Sequence, residues 1–197
     1  MLIIACMRSA SSSLLELLTE ELGLKPPHQG SKGVLEAPRR DWRKGEGVKG
    51  YVCYPSSSSR HISPKVLKEV ALRRDQIIRD HILPIQPHRD ALMSIEKELR
   101  KIVILKRDAI GAFNSQMERP GECYYKSRCE NRDFCRSAFI RFRENIDIMF
   151  PEEDGFLHIE YYDLINNQTR EVKRILDYWG FPYNAGETFT LPHLRGW

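Results

Sequence analysis

No apolar run in this chain of 197 residues approaches the ~20 consecutive residues that would cross a bilayer, so no membrane partner is expected. No leader with an apolar stretch and a small-residue cleavage site precedes the first structured run. Charge of one sign is scarce too: 31 Lys and Arg against 27 Asp and Glu leave only +4, too mild to indicate a nucleic-acid protein without a localised patch. The five cysteines, an odd number, cannot all pair within the chain. Cys123, Cys129 and Cys135 are evenly spaced but lack the short C-x2-C pair and the fourth ligand of a zinc site. Neither a disulfide framework nor a metal centre is therefore expected, and the setting reads as reducing and cytoplasmic. Hydrophobic residues at 41% and charged residues at 29% exclude a disordered tail and a collagen-like repeat. The length suits one domain spanning 1–197, and no internal repeat divides it.

What is present alternates between two periods. The opening Met1-Leu-Ile-Ile-Ala-Cys6 is a short apolar run, read as a buried strand. From Ser13 the spacing turns helical, with Leu14, Leu17, Leu18 and Leu22 on one face and Gly23 as the stop. Ser63-Pro64 reads as a cap and first turn, opening a helix to about Arg74. Strands are expected over 76–81, 101–106 and 156–160, with helices over 90–100, 131–149 and 169–179. The alternation predicts an α/β chain: three layers, α/β/α, around a mostly parallel sheet of about four to five strands joined by right-handed crossovers. Ligands of such sheets sit at the carboxyl ends of the strands, which directs attention to the residues just beyond each one. Residues 25–60 read as a basic, mobile loop and 118–155 as a helical insert. Within 25–50 lie seven basic and three acidic side chains, accounting for the whole net charge.

Beyond the first strand lies Met7-Arg8-Ser9-Ala10-Ser11-Ser12-Ser13, running straight into a helix. Small side chains let backbone amides approach a ligand, and a helix start supplies N–H groups and a positive dipole end. The segment therefore reads as an anion cradle, with Ser12 and Ser13 as hydroxyl donors and Arg8 as a planar fork for phosphate or sulfate oxygens. A serine-rich helix cap with Arg8 in water would share this composition. The Gly and Lys of a magnesium-nucleotide loop, G-x-x-x-x-G-K-[ST], are missing.

The same segment resembles the 5'-phosphosulfate loop of the sulfotransferases, R-S-G-[ST]-T-x-L-x-x-L-L. Arg8, Ser9 and Ser11 match, Ser12 stands for threonine, Leu17-Leu18 fit, and Ala10 replaces the usual glycine. The run from Lys101 to Asp108 is similar to the family's strand ending in R-[DN]-P, with Ala109 in place of proline and Ser115 eight residues beyond Arg107. Ile159-Glu160-Tyr161-Tyr162-Asp163-Leu164, followed by Tyr178-Trp179-Gly180, resembles a third family block, [VI]-x-Y-E-D-L. Arg79-Asp80-His81-Ile82-Leu83-Pro84 is similar to the family's K-T-H-L-P segment, and Arg195-Gly196-Trp197 to its late basic glycine loop.

The resemblance implies a P-loop-NTPase-like sulfotransferase fold and transfer of a sulfuryl group from 3'-phosphoadenosine 5'-phosphosulfate, leaving 3'-phosphoadenosine 5'-phosphate. The acceptor would be a hydroxyl or amine of a small molecule or carbohydrate. It assigns Arg8 and residues Ser9, Ala10, Ser11, Ser12 and Ser13 to the 5' end of the donor, and Arg107 with Ser115 to the 3'-phosphate. Tyr161 would lie beside adenine, where core packing serves equally well, and His81 would be the general base, with His61 and His88 as alternatives. Two other activities share these features. A kinase-like phosphoryl transferase would depend on magnesium and bind ATP. A non-enzymatic anion- or RNA-binding module would use the 25–50 loop, where Trp42 is the sole ring for base stacking.

Overall fold

The computed structural model describes residues 1–6, 8–23, 52–53, 64–72, 74, 77–80, 86–118 and 132–192. His61, His81, Cys123, Cys129, Arg195-Gly196-Trp197 and nearly all of the basic 25–60 stretch lie outside them.

The described chain is mixed α/β on a parallel sheet, as the alternation of periods implies. Its strands are β1 (Leu2–Ala5), β2 (Val52–Cys53), β3 (Ile78–Asp80), β4 (Ile102–Lys106) and β5 (Leu157–Glu160). They run in the order β2-β3-β1-β4-β5, and every pairing is parallel. The helices are α1 (Ser11–Glu21), α2 (Pro64–Leu72), α3 (Gln86–Met93), α4 (Ala109–Met117), α5 (Arg132–Met149), α6 (Tyr161–Asn166) and α7 (Gln168–Trp179).

β1 and β4 are buried along their whole length because helices cover both faces of the sheet, which is why they read as unbroken apolar runs. Met1, Ile3, Ala5, Val103, Leu105 and Ile159 meet Leu14 and Leu18 of α1 and Val172, Ile175 and Trp179 of α7. Leu2, Ile4, Ile102 and Ile104 face the other way, onto Leu67 of α2, Leu92 of α3 and Ile146 of α5. A slip of one residue in either strand would exchange these two sets.

Three expectations change. Val52–Cys53 forms a strand inside the stretch expected to be loop: Tyr51-Val-Cys-Tyr54 has strand composition but is too short to show a period. The helix expected over 90–100 starts at Gln86 and ends at Met93, followed by a 3-10 turn at Lys97–Leu99. Pro87 belongs to its first turn, where a missing N–H costs nothing. Third, α5 is no insert: it carries Ile146 into the sheet-facing core and packs on α4 through Phe113 and Phe139, at 6.3 Å between ring centres. It completes the crossover from β4 to β5.

The crossover from β1 to β2 moves one way across the sheet with α1 on the first face. Those leading on to β3, β4 and β5 move the opposite way, with α2, α3 and α5 on the second. Reversing both direction and face preserves the hand, so these crossovers share one. β1 and β4 are neighbours whose outgoing chains diverge, and a crevice opens at such a switch point, beyond the carboxyl ends of the two strands.

Candidate functional site

The turn from β1 into α1 stands at that switch point, just beyond the carboxyl end of β1. Arg8 and Ala10 both adopt left-handed backbone, at φ 61° and 58°, and they are the only non-glycine residues to do so among those described. For an L-residue this conformation costs roughly 1–2 kcal/mol. Ala10 thus occupies, with strain, the place where the sulfotransferase pattern has glycine. It supplies no side-chain cap to α1, so the helix begins with the end of its dipole uncapped by Ala10.

The hydroxyl of Ser9, fully buried, donates to the Cys6 carbonyl at 2.6 Å. Ser9 therefore holds the turn from within, leaving its amide rather than its hydroxyl for a ligand. Ser11 is buried and Ser13 half-buried in the first turn of α1, whereas the Ser12 side chain lies outside the described residues. Cys6, beneath the turn, has its thiol pushed up to about 11, chiefly by burial, and is a packing group rather than a nucleophile.

The end of β4 reaches the same turn. Arg8 Nε donates to Ser115 Oγ at 3.4 Å, a contact across 107 residues of sequence. Ser115 comes from α4, two turns along from Arg107. Arg107 Nη1 donates to the carbonyl oxygen of Arg8 at 2.5 Å. Its guanidinium lies over the Tyr161 ring, 4.0 Å from the centroid, and its Nε is buried with no partner among the described residues. Next to it, Asp108 caps α4 by accepting from the Gly111 amide at 2.5 Å. A Cβ on Gly111 would fall 2.5 Å from the Asp108 carboxylate, so this tight cap depends on glycine. Asp108 also accepts from the Tyr162 hydroxyl, a bond that raises the phenol above its ordinary pKa.

The structure thus brings together Arg8, Ser115, Arg107 and Tyr161 from four separate elements. Tyr161, expected beside an adenine, is only 5% exposed: Arg107 covers a face and the Tyr162 ring meets it edge-on at 5.2 Å. It is the floor under Arg107, and the ring that looks outward at this corner is Tyr162, 55% exposed. His88 is 1% exposed within α3, where an acceptor hydroxyl does not reach it. The other two histidines weighed as bases, His61 and His81, fall outside the described residues.

Sequence reasoning missed a charged cluster on the second face of the sheet. Lys106 Nζ pairs with Asp147 Oδ1 at 2.7 Å, and Arg143 pairs with Asp147 at 2.8 Å and grips Glu160 with both terminal nitrogens, at 3.0 and 3.1 Å. Its signal was available: Arg143 and Asp147 stand four apart on one helix, while Lys106 and Glu160 each end an apolar strand. The nearby His158 is held down to about 4 by burial, then by the Lys106 charge. No three His, Cys, Asp or Glu side chains among the described residues could jointly hold a metal, and no helix among them is long and apolar enough to cross a membrane. No protein-family model, curated protein or solved structure matches the chain.

Proposed function

We propose that this chain is a sulfotransferase using 3'-phosphoadenosine 5'-phosphosulfate, built on a three-layer, P-loop-NTPase-like sulfotransferase fold. The observation that carries the reading is the convergence of the two segments with the strongest motif resemblance. The Arg8 side chain meets Ser115, and the Arg107 side chain meets the Arg8 carbonyl, at the crevice where an α/β sheet takes its ligand. Two guanidinium groups a few residues past neighbouring strands suit a ligand with anionic groups at both ends of one nucleoside.

In this reading the amides of residues 9–13 and Arg8 receive the 5' end, and Arg107 with Ser115 receives the 3'-phosphate. The acceptor oxygen attacks sulfur in line, forming the new S–O bond while the bond to the bridging phosphate oxygen breaks. Charge grows on the leaving phosphate, and fixed donors aimed there lower the barrier. Arg8 stabilises that charge without giving up a proton, since a guanidinium stays protonated. The acceptor's proton goes to His81, because a neutral imidazole is the side chain best suited to act as a general base. No step calls for a metal.

Calorimetry tests the reading. Adenosine 3',5'-bisphosphate should bind without magnesium, and more tightly than ATP with or without it. Binding of magnesium-ATP with no binding of the bisphosphate would replace this proposal with a phosphoryl transferase. Binding only of RNA, with a steep salt dependence, would replace it with a binding module.

A further inference from the structure

We propose that Arg107 is a positioning residue for the β1–α1 turn, so that it acts on the 5' end of a bound nucleotide without touching it. The turn is strained at Arg8 and Ala10, and strained backbone persists only where its surroundings over-determine it. The Ser9 hydroxyl on the Cys6 carbonyl and the Cys6 amide on the Leu105 carbonyl, at 2.6 and 2.9 Å, tie the base of the turn to β1 and β4. The bond from Arg107 goes further, landing on the carbonyl of a left-handed residue.

Arg107 can hold that carbonyl because it is itself held. Tyr161 supports its flat face at 4.0 Å, and Tyr162 braces Tyr161. One edge of the guanidinium fixes the turn, and its Nε is buried without a hydrogen-bond partner among the described residues. Resting on the sulfotransferase reading, this makes the two ends of the donor interdependent. An anion gathered by Arg107 stiffens the turn that receives the 5' group, and the coupling is reciprocal.

The test uses three probes, adenosine 3',5'-bisphosphate, adenosine 5'-monophosphate and adenosine 3'-monophosphate, with wild type, Arg107→Ala and Arg107→Ala/Ala10→Gly. A residue that only binds the 3'-phosphate would leave the 5'-monophosphate unaffected in Arg107→Ala. The positioning role instead weakens the 5'-monophosphate by roughly tenfold, the scale of one strained residue. Adding Ala10→Gly relaxes the strain, so the double variant should regain 5'-monophosphate affinity while its loss for the 3'-monophosphate persists. A general structural defect would not be repaired in this selective way.

Hydrogen exchange without any nucleotide supplies an independent reading. Amides of residues 9–13 should exchange faster in Arg107→Ala, while those of β4 and α7 stay unchanged. Unaltered 5'-monophosphate affinity together with unaltered exchange overturns the proposal. If wild type binds none of the three probes, the sulfotransferase reading falls, and exchange over residues 9–13 still decides the role of Arg107.

Discussion

A guanidinium carries five donors in one plane, and the surroundings of each arginine in this chain decide how those donors are used. Arg100 is buried and spends its donors on the carbonyls of Met93, Ile95 and Asp154, knitting together loops at the end of the sheet away from the crevice. Arg143 meets a carboxylate with both terminal nitrogens. Arg107, like Arg100, has a buried Nε with no partner among the described residues, but it stands where two strand ends diverge. Composition cannot distinguish these roles, since each arginine was legible as a charge and none as a set of directions.

His158 shows the same dependence on surroundings. Both its ring nitrogens are buried without hydrogen bonds among the described residues, and its pKa is held down to about 4 by burial and by Lys106. Above pH 6.5 it is neutral whether folded or unfolded, so it contributes no pH dependence there. As pH falls from 6.5 towards 4 the unfolded chain takes up a proton that the folded state refuses, and stability drops by up to about 3 kcal/mol. His158→Leu should remove that slope from urea unfolding midpoints between pH 4 and 6.5, and should cost little at pH 7, because no hydrogen bond is lost.

At the scale of elements, α5 illustrates how a helix is fastened to a sheet at two levels. Its apolar Ile146, in the sheet-facing core, makes one level, and its Arg143 and Asp147 make the other, against the last residues of β4 and β5. Burial alone would raise the Asp147 pKa, but Lys106 and Arg143 hold it below the usual carboxylate range. Because Lys106 is only 7% exposed, removing its partner strands a charge. Asp147→Ala should therefore destabilise the protein by about 2 kcal/mol in denaturant titrations, and Lys106→Met in the same chain should recover most of the loss. The sequence pattern announced α5 correctly as a helix over nearly the observed span. It could not announce what the helix packs on, and so a crossover was mistaken for an insert.

At the scale of the whole molecule, the strand order makes the site. It places β3 beside β1, with Asp80 paired to Ile4. His81, the next residue in sequence, is the proposed base. His81→Ala should lower kcat by about a hundredfold or more while leaving the calorimetric Kd for the bisphosphate within about twofold. An equal loss in both would assign His81 to donor binding instead. Much of this architecture was open to reading in advance. Alternating periods revealed β1, β4, β5 and the helices α1, α2, α5 and α7, and the small polar residues after β1 marked the turn, because such patterns are written over a few neighbouring residues. What no local pattern carried was adjacency between distant segments: that Arg107 would grip the Arg8 carbonyl, that Tyr161 would lie beneath a guanidinium instead of open to a ligand, that His88 would be enclosed, and that β2 would join the sheet. Those outcomes belong to the packed fold, because strand order and burial are set by all the elements competing for the same core.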